Sequence, residues 1–146
     1  MNIAVFFGGR SCEHDISIIT GVQVLNALGD GYRVLPVYMK DGGFYTSDLM
    51  PDVGFFENPN LKKATRIWLI DGSFYTRKGM LLLKKETPDV ALICCHGGEG
   101  ENGVLQGFLE YNGVPYTSAG LIASSVCMDK SIAKQLLDGL MLNTMP

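Results

Sequence analysis

Two spacings of apolar residues alternate along this chain: short unbroken runs, and stretches where apolar positions recur every third or fourth residue. Asn2-Ile-Ala-Val-Phe-Phe7 is a run of the first kind and predicts a strand that ends at Gly8-Gly9. Ile18, Val22, Leu25 and Leu28 then form one helical stripe, with Ser11 as candidate N-cap and Gly29 and Gly31 as the stop. Arg33 to Met39 predicts a second strand, and its Pro36 suggests a sheet edge or a strand margin.

Asp41-Gly42-Gly43 turns the chain into Phe44-Tyr-Thr46, and from Ser47 to Ala64 the pattern fades. Arg66 to Ile70 and Met80 to Leu83 predict short strands on either side of Asp71-Gly72-Ser73, and Phe44-Tyr-Thr46 returns as Phe74-Tyr-Thr76. Three residues are too few for a repeat, so the 47–88 stretch is expected to be a hairpin-like insertion.

Regularity returns with Val90 to Cys95, a continuous apolar run of the kind found in a parallel strand buried on both faces. It runs into His96-Gly-Gly-Glu-Gly-Glu-Asn-Gly103. Val104, Leu105, Phe108 and Leu109 then predict a short amphipathic helix stopped by Gly113, and Val114 to Thr117 a brief extended piece. A last helix carries Ala133, Leu136, Leu137 and Leu140, with Asp129 as its N-cap. Alternating strands and helices predict an open, mainly parallel α/β sheet with right-handed crossovers. Leu142 to Pro146 is expected to be extended chain, and with no charged tail it reads as a cut.

Composition narrows the function classes. At 146 residues with 47% hydrophobic and 18% charged positions, the chain can bury a core and is expected to form one domain over 1–146. A net charge of −3 provides no field for a polyphosphate backbone, so nucleic-acid binding by bulk charge is excluded. No apolar run approaches the roughly 20 residues of a membrane span, and Met1 leads straight into the first strand without a basic leader. A soluble, cytoplasmic protein with no membrane partner is expected. Cys12, Cys94, Cys95 and Cys127 contain no C-x-x-C pair, and reduced thiols are the default.

Chemistry in such a sheet gathers at the carboxyl ends of strands, beside helix N-termini. Two loops there are rich in functional groups, Gly8 to Asp15 and His96 to Gly103, and both follow strands expected to be parallel neighbours. Gly8-Gly9-Arg10-Ser11 does not align on G-x-G-x-x-G, and no G-K-[ST] is present. Glu13, in the predicted first helical turn, is either an ordinary helix-start acid or a fixed carboxylate suited to a substrate ammonium. His96 is either a hydrogen-bonded loop histidine or part of a site, and Asn102 either a plain cap or more. Cys95 before His96-Gly97-Gly98 lacks the glycine of a nucleophile elbow, so Cys94 and Cys95 read as core residues. Cys12, His14, Cys95 and His96 lack the local spacing of a metal site, and none is expected.

At these same residues the sequence resembles a known family. Gly8-Gly-Arg-Ser-Cys-Glu-His-Asp-Ile-Ser17 is similar to the first motif of D-alanine-D-alanine ligases, Gly-Gly-x-Ser-x-Glu-His-x-Val-Ser, with Ile16 in the Val place. His96 to Gly107 resembles their His-Gly-x-x-Gly-Glu-Asp-Gly-x-x-Gln-Gly, with Asn102 where Asp is usual. Gly113 to Gly120 resembles Gly-x-Pro-Tyr-Thr-Gly-x-Gly with Ser118 in a Gly place, and Ala123 to Lys130 ends in the family's Met-Asp-Lys.

The resemblance implies a Rossmann-like pre-ATP-grasp domain with helices on both faces of the sheet. The central and ATP-grasp domains, with most ATP and metal ligands, would lie outside this chain. It further implies a ligation dependent on ATP and Mg²⁺ or Mn²⁺, in which the first D-alanine carboxylate is phosphorylated and then attacked by the amine of the second, for peptidoglycan precursors. By motif, Glu13 would bind the ammonium of the first D-alanine and Ile16 would touch its methyl. His96, with Gly97 beside it, would orient the reacting carboxylate, and Lys130 would reach toward ATP phosphates. Neither ATP nor the metal ion is expected to be held firmly by this chain alone, and a homodimer is expected. A sister ligase making D-alanine-D-lactate or D-alanine-D-serine is the nearest rival. A non-catalytic small-molecule binding or dimerisation module is the second.

Overall fold

In the computed structural model, which describes residues 1–57 and 61–143, the unbroken apolar runs become strands and the periodic stretches become helices. Chain order is β1 (Asn2–Gly8), α1 (His14–Leu28), β2 (Arg33–Lys40), β3 (Gly43–Thr46), β4 (Thr65–Ile70), β5 (Ser73–Lys78), β6 (Leu81–Glu86), β7 (Val90–Ile93), α2 (Val104–Tyr111), α3 (Leu121–Met128) and α4 (Lys130–Gly139). Seven strands form one mixed sheet in the order β6-β5-β4-β3-β2-β1-β7. β1 pairs in parallel with β2 and β7, and the wing from β3 to β6 is antiparallel throughout.

Strand side chains alternate between faces, so a run such as Ile3 to Phe7 is stable only when both faces are covered. Ile3, Val5 and Phe7 pack with Ile18, Val22 and Leu25 of α1 on one face. Ala4 and Phe6 pack with Leu105 and Leu109 of α2 on the other. Each fully buried Leu, Ile, Val or Phe contributes roughly 1.5–3 kcal/mol, so these two layers dominate stability. α1 sits very close to β1: a Cβ added at Gly21 would lie 2.4 Å from Cγ of Phe7.

The three-residue echo has a structural cause. β3 and β5 flank β4 on its two sides, with Phe44 opposite Ile67 and Phe74 opposite Leu69. Both phenylalanines meet Phe6, at ring centroid distances of 5.8 and 6.0 Å. The expected insertion is thus an extension of the main sheet. In the 47–64 segment, Met50 is fully buried, and Phe56 packs edge-on against Phe7 and Tyr38 on the α1 face.

Pro36 requires a correction. β2 lies between β1 and β3, not at the sheet edge, and Pro36 is opposite Val5 in its middle. The absent N–H is tolerated because β3 pairs only from Tyr38 onward, which leaves Pro36 a local edge on that side. β7 ends the sheet, and its free side is met by the brief extended piece. Ala91 bridges to Tyr116, its N–H donating to the Pro115 carbonyl and its own carbonyl accepting from Thr117 N–H.

The C-terminal part departs most from its pattern. α3 was not foreseen: only Ser124 of its eight residues is buried, so no stripe marks it. Asp129 does cap α4, accepting from the backbone N–H groups of Ser131 and Ile132 at 2.9 and 3.0 Å. The α4 stripe, by contrast, faces outward, with Leu136, Leu137 and Leu140 exposed. Residues 58–60 of the 47–88 stretch and 144–146 of the expected extended tail lie outside the described residues.

Ser118, which stands in a family glycine place, has φ +116. A side chain in that region strains the backbone by about 1 kcal/mol or more. Ser118→Gly is therefore expected to raise the melting temperature by about 2–4 °C, from that strain and the slope for domains of this size. Calorimetry showing a lower melting temperature would mean that the 3.4 Å contact from Gln106 Nε2 to the serine hydroxyl outweighs the strain.

Candidate functional site

The two loops singled out in the sequence meet at the carboxyl ends of β1 and β7, which are parallel neighbours as expected. Gly8 starts the first turn with φ +89, where a Cβ would lie 2.6 Å from the Met39 carbonyl oxygen. Its N–H donates to Ser17 Oγ at 2.7 Å, and that hydroxyl donates to the Cys94 carbonyl at 3.1 Å. One buried serine on α1 thereby ties the ends of both strands.

Further contacts join the loops directly. The Ser11 hydroxyl accepts from Glu13 N–H at 3.1 Å and donates to the His96 carbonyl at 2.5 Å. Arg10 N–H donates to Glu99 Oε1 at 2.9 Å. Ser11 is thus two residues ahead of the cap position expected for it; Glu13 occupies that position and Asp15 is the acid of the first turn.

Glu13 is exposed, and its carboxylate has no hydrogen bond or ion pair among the described residues. It lies against Gly97: a Cβ there would come within 2.5 Å of Glu13 Oε2. Gly97 itself has φ +64, which favours glycine, and a side chain there would displace the neighbouring Glu13 carboxylate. His96 is half-buried and its Nε2 is 2.9 Å from the Thr20 hydroxyl on α1. The structure therefore gathers Glu13, His96 and Gly97 at one place, at the start of α1. Ile16 is on the exposed side of that helix start, 53% accessible. Lys130 opens α4, exposed, and no hydrogen bond or ion pair among the described residues joins it to the loops. Asn102 stands one residue ahead of the α2 N-cap, which is Gly103, and its Oδ1 accepts from Val104 N–H at 3.1 Å.

Sequence reasoning gave no role to Ser17, Thr20, Tyr38 or the His14 ring. A signal for Ser17 existed: it shares the inner face of α1 with Ile18, Gly21 and Val22, where a small polar residue needs a buried partner. His14 Nδ1 is 2.7 Å from the Gly9 carbonyl and Nε2 is 3.1 Å from the Tyr38 hydroxyl. Burial, aided by Asp41 and Asp15, pushes that tyrosine up to about 12.

Cys94 and Cys95 are buried as expected, and burial pushes their thiols up to about 11 and about 12. Thiolate is the reactive form. In the folded chain near pH 8, a thiol reagent should therefore label Cys12 and Cys127, which are exposed, and reach the other two only on unfolding. Mass spectrometry showing four rapid additions to native protein would contradict this burial. Among the described residues no three His, Cys, Asp or Glu side chains are placed to hold a metal ion, and no helix is long and apolar enough to cross a membrane.

Residues 2–119 match the family model described as the D-ala D-ala ligase N-terminus. A D-alanine--D-alanine ligase of Thermosipho melanesiensis is 39% identical over 145 residues, covering 94% of this chain and 39% of that protein. The crystal structure of a D-alanine-D-alanine ligase from Helicobacter pylori superposes with TM-score 0.86 at 25% identity, over 100% of this chain and 46% of that one. The enzyme from Bacillus anthracis, solved in complex with ATP, superposes with TM-score 0.65 at 27% identity, over 100% and 38%. The chain spans about two fifths of the length of the curated relatives it matches.

Proposed function

Because the chain belongs to the D-alanine-D-alanine ligase family, through its N-terminal domain, we propose that residues 1–146 form one wall of the active site of an ATP-dependent ligase joining two D-alanines. The observation that carries this reading is the meeting of Glu13, Gly97 and His96 at the ends of β1 and β7, on the motifs that the family shares.

Glu13 presents an unpaired carboxylate beside the N-terminus of α1, where an ammonium finds a charge-assisted acceptor. The first D-alanine is held there by its ammonium, with its methyl toward Ile16 and its carboxylate toward His96 and the Gly97 backbone. Holding the amino acid at both ends fixes the carboxylate for phosphorylation and for attack by the second amine, which is catalysis by orientation. ATP supplies the phosphoryl group when bound, and Lys130 is this chain's residue for its phosphates. The residues described do not fit a Mg²⁺ site, since no carboxylate cluster is present among them. The metal ligands belong to the central and ATP-grasp domains beyond this chain. The whole ligase works in the cytoplasm, for peptidoglycan synthesis, as a homodimer.

Two measurements test the reading. The 146-residue chain should release no ADP with D-alanine, ATP and Mg²⁺; steady ADP formation abolished by Glu13→Ala would overturn the placement of the ATP site elsewhere. D-alanine titrated into the ¹⁵N-labelled chain should move the amide signals of 11–13 and 96–97, and D-lactate, which lacks the ammonium, should not. Equal movement with both, or none with D-alanine, counts against Glu13 as the ammonium partner.

A further inference from the structure

Thr20 sits one turn beyond Ile16 on α1, and its hydroxyl makes two contacts, 3.1 Å to the Ile16 carbonyl and 2.9 Å to His96 Nε2. A hydroxyl carries one hydrogen, and a carbonyl can only accept. If that hydrogen went to His96, two oxygens with no hydrogen between them would face each other at 3.1 Å. With the hydrogen on the Ile16 carbonyl, the hydroxyl lone pair is free to accept from an N–H at Nε2, and both contacts are hydrogen bonds.

We propose that Thr20 is a positioning residue that holds His96 as its Nε2–H tautomer, so that the Nδ1 lone pair is the ring edge left for a ligand in the loop site. Among the described residues His96 Nδ1 has no hydrogen-bond partner. The residue is held twice, its ring at Nε2 by α1 and its backbone carbonyl by the Ser11 hydroxyl, which leaves one ring edge with one chemical character. Neutral His96 therefore meets a ligand as an acceptor at Nδ1; to hold the D-alanine carboxylate placed against it above, the ring must take a hydrogen at that edge and donate as imidazolium, with the carboxylate as its counter-charge. The part about the ligand rests on the function proposed above, whereas the tautomer rests on Thr20 alone.

His14 provides an internal control. Its Nδ1 faces a carbonyl, so that nitrogen carries the hydrogen, and its Nε2 accepts from the Tyr38 hydroxyl, which burial keeps protonated. The two histidines of the chain are thus held in opposite tautomers.

Long-range ¹H–¹⁵N correlation of the labelled chain at about pH 8.5, two units above the ordinary histidine value, reads both directly. His14→Gln removes one set of signals and assigns the other. His96 should show a protonated Nε2 and a lone pair on Nδ1, and His14 the reverse. Thr20→Val should give averaged shifts for His96, and Thr20→Ser should restore the parent pattern. A hydrogen on Nδ1 of His96, averaged shifts in the parent, or Thr20→Val spectra identical to the parent would overturn the proposal. D-alanine added to the same sample tests the proposed function separately: a fixed tautomer whose Nδ1 signal ignores D-alanine defeats that reading and leaves the role of Thr20 standing.

Discussion

Gly21→Val should lower the stability of this chain by about 3 kcal/mol or more, through overpacking at a site with no room. A Cβ at position 21 would lie 2.4 Å from Cγ, 2.6 Å from Cβ and 2.8 Å from Cδ1 of Phe7. Phe7 cannot yield, since it is fully buried between α1 and the ring of Phe56. Replacing glycine inside a helix ordinarily gains about 1 kcal/mol or less, and the clash outweighs that gain. At about 2–4 °C per kcal/mol for a chain of this size, the melting temperature should fall by roughly 6–12 °C. Gly139→Ala is the control: it is in α4 with nothing within 4 Å of an added Cβ, so it should be neutral or slightly stabilising. A Gly21→Val protein melting within 2 °C of its parent, a shift of under about 1 kcal/mol, would show that α1 can lift from β1 freely.

Glu13→Gln, made in a ligase that contains this domain, should raise KM for the first D-alanine by roughly ten- to hundredfold. The substitution preserves size and one acceptor but removes the charge, and losing a charge-assisted hydrogen bond in a partly desolvated cleft costs about 1.5–3 kcal/mol. Each 1.4 kcal/mol is about a factor of ten. ATP affinity should change little, because Lys130 and not Glu13 is assigned to the phosphates. Gly97→Ala should mimic the loss by a different route, since its methyl would push the Glu13 carboxylate aside. Asp15→Asn, two residues on and exposed, should leave the kinetics near those of the parent. Kinetics within twofold of the parent for Glu13→Gln, together with disruption by Asp15→Asn, would move the ammonium site to another residue.

What the sequence made legible was whatever packing imposes on spacing. The stripe Ile18, Val22, Leu25 announced α1 because one face of that helix is buried and the other is wet. The run from Ile3 to Phe7 announced a central strand because both its faces are covered. α3 escaped because burial falls on a single serine, which sets no period. The α4 stripe predicted the helix but not its surroundings: Leu136, Leu137 and Leu140 stay exposed, since amphipathicity reports that a partner is needed and not where it lies. Glu13, His96 and Gly97 were reachable through motifs. Thr20 was not, because its role depends on a contact across 76 positions that no local pattern encodes.

The division of the sheet into an antiparallel wing and a parallel core sets the order in which the chain can assemble. The outer three strands of the wing are joined through tight turns, β4 to β5 across Asp71-Gly72 and β5 to β6 across Gly79-Met80. Such hairpins close in about 1–10 microseconds. β1 and β7 pair only when Ile3 finds Val90, across almost the whole intervening sequence, and loop-closure entropy delays contacts of that kind. Folding is therefore expected to run from the wing toward the core. The loops that bring Glu13 to Gly97 take shape only with the last strand pairing, so a chain caught partway carries most of its hairpins and none of its site.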